Sequence, residues 1–179
     1  MLEDRPYFMD GNDFRKIMGN FMAGVTVVTI PSNPLHGITV NSFTSISLEP
    51  MLVSICLDNN SKAHKKITSE SQKLVDGENE MENGFCINIL AEDQKGIGEW
   101  FAGMGKDREN PFETEKIRCS PLGSIIFEDS IAYLDCSIYD EIELGDHTLY
   151  IGKVESGSIL QSDKSALTYF RGKWGSGNV

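Results

Sequence analysis

"HGITVNSFTSISLEPMLVSICLD", residues His36 to Asp58, decides the fold. Two β-rich apolar segments surround a dense set of small polar residues: Thr39, Asn41, Ser42, Thr44, Ser45 and Ser47. On a continuous strand alternate residues share a face, so Thr39, Asn41 and Phe43 would point one way and Val40, Ser42 and Thr44 the other. The hydroxyls then do not all fall on one side. Either they decorate a solvated face, or they join free backbone groups at a strand end or bulge to line a pocket. A flat heteroaromatic ring with a polar edge is one ligand such a pocket could grip.

Working outward, "GVTVVTI" before this stretch and a Pro/Asn/Gly turn between them predict a hairpin. "PMLVSICLD" and "GFCINILAED" predict the third and fourth strands. From Ser124 onward three more strands alternate apolar and polar residues, with turns near Glu128–Ser130 and Glu143–Asp146. The tail "ALTYFRGKW" reads as one last strand.

Helices are few. Phe14, Ile17, Met18, Phe21 and Met22 stand at helical spacing, and Gly24 is expected to end that helix. A short helix opens near Asn60 or Ser61, and "QKGIGEWFAG" predicts another. "GKDRENPFETEKIRCSPLG" reads as loop. Six or seven short strands with helices only at the start and between them favour an antiparallel barrel or sandwich. A doubly wound parallel sheet would need a helix after each strand.

Composition bounds the function. The 179 residues imply a single domain, 1–179, able to bury a core without staples. With 16 Lys+Arg, 27 Asp+Glu and a net charge of -11, the chain lacks the basic patch that nucleic acid requires. No apolar run approaches the ~20 residues that cross a bilayer. The charged opening "MLEDRPYFMDGNDFRKIMG" lacks the apolar core of a signal peptide, so a cytoplasmic location is expected. Cys56, Cys86, Cys119 and Cys136 lie far apart, as expected of free thiols in a reducing compartment. The three histidines are scattered, so no metal site is expected. No G-x-S-x-G elbow, Walker A loop or strand-borne G-x-G-x-x-G is present. An anion could be held by hydroxyls where Ser61 and Lys62 begin their helix.

Six fragments in order carry a resemblance: "GVTVVT" (24–29), the opening stretch (36–58), "NNSKAH" (59–64), "GFCINIL" (84–90), "GDHTLYIGKV" (145–154) and "LTYFRGKW" (167–174). Together they resemble the flavin reductase-like proteins, the small reductase components of two-component monooxygenases and the related flavoredoxins. The resemblance implies a mainly β split barrel that forms a homodimer and binds FMN or FAD near the subunit interface. It also implies reduction of that flavin by NADH or NADPH, often for a partner monooxygenase or redox protein. The alternative within the resemblance is a flavoredoxin-type electron carrier that holds FMN and uses no nicotinamide.

Carried over residue by residue, the resemblance assigns Thr39, Val40, Asn41 and Ser42 to the flavin edge, with Ser47 nearby. It puts Cys56, Leu57 and Asp58 beside the flavin, Ser61 and Lys62 at its phosphate, and Phe85 and Asn88 on a flanking strand. His147 would position the nicotinamide, and Tyr169 and Arg171 would close over the site. His64, within "KAHKK", is expected to be solvated; Trp100, Phe101 and Trp174 are expected to pack. Two departures stand out: an acidic insertion spanning Gln72–Asn83, and Met51 after Pro50 where the family often has a second proline.

Overall fold

The structure is a computed structural model that describes residues 9–67, 84–105 and 107–177. Its central element is a seven-stranded antiparallel sheet. The strands are β2 (Thr26–Ile30), β3 (His36–Val40), β4 (Thr44–Leu48), β5 (Met51–Asp58), β6 (Gly84–Ile89), β9 (Ala132–Leu144) and β10 (His147–Ile159). Their order across the sheet is β3-β2-β6-β9-β10-β5-β4. A small sheet pairs β1 (Ala23–Gly24) and β12 (Lys173–Gly177) on either side of β11 (Ala166–Phe170), and β7 (Ile117–Cys119) pairs with β8 (Ile125–Phe127).

The order explains the opening stretch. β3 and β4 are consecutive in the chain yet form opposite edges of the sheet. Residues 41–43 therefore leave the ladder and carry the chain from one edge to the other. The continuous strand expected through Asn41 and Phe43 is broken here, and the sheet curls without closing: a split barrel. Ser42 fastens the break. Its hydroxyl donates to the Cys56 carbonyl (3.1 Å) and accepts from the Cys56 N–H (3.0 Å).

β2 is buried along its whole length because both faces are covered. Val28 and Ile30 face the barrel interior with Ile55, Leu57, Phe85, Ile87 and Tyr150. Val27 faces outward, where Leu90, Ile97, Phe101, Phe127 and Leu167 form a second core under α3 (Lys95–Phe101). Alternation with period two thus feeds two cores from one strand, each fully buried aliphatic side chain contributing about 1.5–3 kcal/mol. Helix α2, described at 62–67, plugs the barrel with Ala63 and Ile67. Ser61 caps it by accepting from the His64 N–H (3.0 Å), as expected of this residue type.

Several elements differ from the sequence expectation. Helix α1 spans Gly11–Met18 and stops there, because the Asn20 amide donates to the Lys16 carbonyl (2.8 Å) and closes the last turn. Ala23–Gly24 is instead a strand paired with β11. The stripe Phe14, Ile17, Met18, Phe21 and Met22 is exposed in the single chain. The tail is two strands, with Arg171 and Gly172 forming the turn at φ 49° and 75°. The "loop" after Lys106 holds α4 (Pro111–Thr114) and β7. His64 is half-buried, its Nδ1 2.7 Å from the Tyr150 hydroxyl, and so is not the solvated residue expected. The Gln72–Asn83 insertion lies outside the described residues.

Candidate functional site

The break after β3 creates the first feature of the site. Among the described residues, the N–H groups of Asn41, Ser42 and Phe43 meet no protein acceptor. Thr39 donates from Oγ1 to the Gly98 carbonyl (2.7 Å), which ties α3 to this edge. Between them lies a cavity of about 200 Å³ walled by Thr39, Asn41, Ala102, Met104, Tyr169 and Trp174. Tyr169 and Trp174 meet edge to face at 5.2 Å, forming a rigid aromatic wall contributed by the tail hairpin.

The end of α3 divides this space from a larger one. Residues Ala102 and Met104 face the aromatic cavity, while Gly103 and Gly105 line a neighbouring cavity of about 570 Å³ with His36, Lys62 and Arg108. Burial holds the His36 imidazole below its ordinary pKa, with the positive charges of Lys66 and Lys62 acting in the same direction. Arg108 is paired with Glu99 (2.7 Å), so Lys62 is the cation on this cavity's wall that suits an anion.

His147 stands at the start of β10, opposite Asp58 of β5. Its Nδ1 lies 2.8 Å from the Asp146 carboxylate, leaving Nε2 for a ligand. That hydrogen bond, the imidazole charge, a backbone bond and the more distant charge of Arg15 hold the Asp146 carboxyl below its usual range. Asn59 accepts from Thr148 Oγ1 (2.8 Å) and donates its N–H to the Asp146 carbonyl (3.0 Å), fixing the turn from beneath. Cys56 connects this end to the break through Ser42; burial, then the Asp146 charge, raises its thiol pKa.

The residues named from the sequence fall into three groups. Thr39, Asn41 and Tyr169 line the aromatic cavity, and Lys62 the cationic one. Ser42, Cys56, Asp58, Ser61 and His147 stand at turns and strand ends outside the linings of both cavities, and Arg171 sits at the turn of the tail hairpin. Val40, Leu57 and Phe85 are packed into the barrel core, and Asn88 is fully buried. The Asn88 amide donates to the Val27 and Ile125 carbonyls (3.3 and 3.1 Å) and accepts from the Phe127 N–H (2.9 Å). In this chain those four side chains pack within or between strands. Ser47 accepts from the Glu49 N–H (3.2 Å) at the far end of the β4–β5 hairpin.

Sequence reasoning missed Ala102, Met104 and the orienting role of Asp146, and took Trp174 for packing alone. An Arg-Gly turn inside "YFRGKW" was the available signal that this tail doubles back and brings Trp174 beside Tyr169.

Comparisons with known proteins agree with this architecture. The family profile described as "Flavin reductase like domain" matches residues 18–178. A flavin reductase of Pseudomonas putida is 34% identical over 169 residues, covering 93% of this chain and 90% of that one. The flavin-dependent monooxygenase reductase subunit HsaB of Mycobacterium tuberculosis is 33% identical, covering 93% and 82%. Among solved structures, the flavin reductase PheA2 superposes with a TM-score of 0.80 at 32% identity, covering 94% and 98%. The NADH:FAD oxidoreductase SgcE6 of Streptomyces globisporus, solved with NAD and FAD fragments, gives 0.77 at 28%, covering 93% and 92%. The chain belongs to the flavin reductase-like family of oxidoreductases.

Proposed function

We propose that this chain reduces FMN or FAD with NADH and passes the reduced flavin to a partner oxygenase. The observation that carries the reading is the set of N–H groups at residues 41–43, unpaired among the described residues, beside the aromatic cavity of Thr39, Asn41, Tyr169 and Trp174. A planar ring with a polar edge fits both halves of that arrangement. Bound flavin supplies the two-electron chemistry, taking a hydride equivalent from the nicotinamide.

The protein's own contribution is binding, orientation and charge. The N–H groups at the β3–β4 break stabilise negative charge on the polar edge of the ring, because they are fixed before the reaction and need no reorganisation. Ser61 and Lys62 take the flavin phosphate, with His36 beside them. His147, held by Asp146, positions the nicotinamide through Nε2. Tyr169 covers the ring face and limits water.

A homodimer completes the reading. The exposed stripe on and after α1 gives it an apolar surface to bury. Support for the partner oxygenase comes from relatives that are reductase subunits of flavin-dependent monooxygenases.

Steady-state oxidation of NADH and of NADPH, with FMN or FAD added, tests this reading. The expected result is flavin-dependent oxidation of NADH. Tightly bound flavin with no nicotinamide oxidation would replace it with an electron carrier.

A further inference from the structure

A third cavity, about 410 Å³, opens at the turn of the tail hairpin and is lined by Arg15, Lys16, Gly19, Asn20, Arg171 and Gly172. Three cations converge here in a chain of net charge -11. Arg15 and Lys16 in the last turn of α1 also suit the helix dipole, but the dipole does not explain Arg171.

Arg171 breaks a local rule. It occupies a tight hairpin turn at φ 49°, a conformation in which Asn or Gly is the ordinary choice. The surrounding structure holds it there: its N–H donates to the Gly19 carbonyl (2.8 Å) and its Nε to the Asn20 side chain (2.7 Å). Among the described residues its two terminal nitrogens make no further hydrogen bond, and its guanidinium lies 4.9 Å from the Phe170 ring centroid. Strain of this kind at a fixed, unpaired charge points to a ligand. Arg15 has no carboxylate partner among the described residues, only a 3.5 Å contact to the Asn12 side chain, and Lys16 reaches Asp13 at 3.4 Å.

We propose that Arg15, Lys16 and Arg171 hold the pyrophosphate of the nicotinamide dinucleotide. The location selects this phosphate. Arg171 follows Tyr169 by two residues, at the tip of the same hairpin, and the cavity it shares with Arg15 and Lys16 opens at that tip. One ribose separates the pyrophosphate from a nicotinamide laid on the flavin ring beside Tyr169, and the two-residue step from Tyr169 to Arg171 suits that separation. The flavin phosphate has its own cationic cavity at Lys62, on the other side of α3. Two guanidinium groups are suited to bidentate contacts with phosphate oxygens.

This inference rests on NADH being the electron donor. Its test uses Arg15→Gln, Arg171→Gln and the double variant, with flavin binding measured separately by fluorescence quenching. The expected result is a rise of at least tenfold in KM for NADH in the double variant, larger than any fall in kcat, with flavin affinity held. Inorganic pyrophosphate should compete with NADH in the wild type and not in the double variant. Arg171→Gly relieves the positive φ, so it should keep or raise the thermal midpoint while still raising KM, which separates lost binding from lost folding. An unchanged KM in the double variant, or a loss confined to flavin affinity, overturns the proposal. Should the wild type oxidise no NADH, the donor reading fails by itself. Calorimetric titration with NAD+ then decides this pocket: binding lost in the double variant supports it, and equal or absent binding in both proteins overturns it.

Discussion

The Ser42 hydroxyl satisfies both backbone groups of Cys56, whereas the neighbouring Asn41 side chain is exposed and lines the aromatic cavity. Substitutions at the two positions should therefore separate. Ser42→Ala removes a donor and an acceptor and should cost about 1–3 kcal/mol in urea unfolding, with flavin affinity falling as the break loosens. Asn41→Leu should leave the unfolding midpoint within about 0.5 kcal/mol of wild type, as for an ordinary surface change, and should weaken flavin binding at least tenfold. A second residue-scale prediction concerns pH. His36 is held neutral in the fold, its pKa lowered by burial and by Lys66 and Lys62. Below its ordinary value of 6.5 the unfolded chain takes up this proton more readily than the folded chain. Its contribution to stability is complete above pH 6.5 and is lost as the pH falls from there toward the lowered folded value. Urea midpoints for wild type and His36→Gln should diverge at neutral pH and converge under mild acid.

At the scale of elements, α3 is the wall shared by two cavities, and its close approach to β3 depends on Gly37. A Cβ at that position would lie 2.8 Å from Phe101 Cε1 and 3.3 Å from the Val28 carbonyl oxygen. Gly37→Ala should force α3 outward, cost about 1–3 kcal/mol by thermal unfolding, and weaken flavin binding although it touches no ligand-facing side chain. The antiparallel strands, their order along the chain and the turns before β9 and β10 were legible because alternation and turn residues are local signals. The break at Asn41–Phe43 was not. β propensity runs straight through "TVNSFTS", and only the placement of β3 and β4 on opposite edges forces the chain out of the ladder. Likewise Asn88 looks like a ligand-facing amide in sequence, but three long-range bonds bury it. The Asp146–His147 pair went unread although the two residues are adjacent, because adjacency does not show which way the imidazole turns.

For the whole molecule, the exposed stripe of Phe14, Ile17, Met18, Phe21 and Met22 demands a cover. Light scattering should give a species at twice the 19.9 kDa chain mass. Replacing Ile17 and Phe21 together by Ser should shift that species toward the monomer. The aromatic and cationic cavities share the end of α3, and the tail hairpin borders the aromatic cavity and the third one; the proposed reading assigns them to the ring, its phosphate and the donor's pyrophosphate. On the proposed function, flavin is reduced at the β3–β4 break beside Tyr169. The most direct measurement is the anaerobic bleaching of the visible flavin band on adding NADH, comparing wild type with Asn41→Leu at matched folding. The expected result is rapid bleaching by the wild type and bleaching at least tenfold slower in the variant. Equal rates in the two proteins would contradict it.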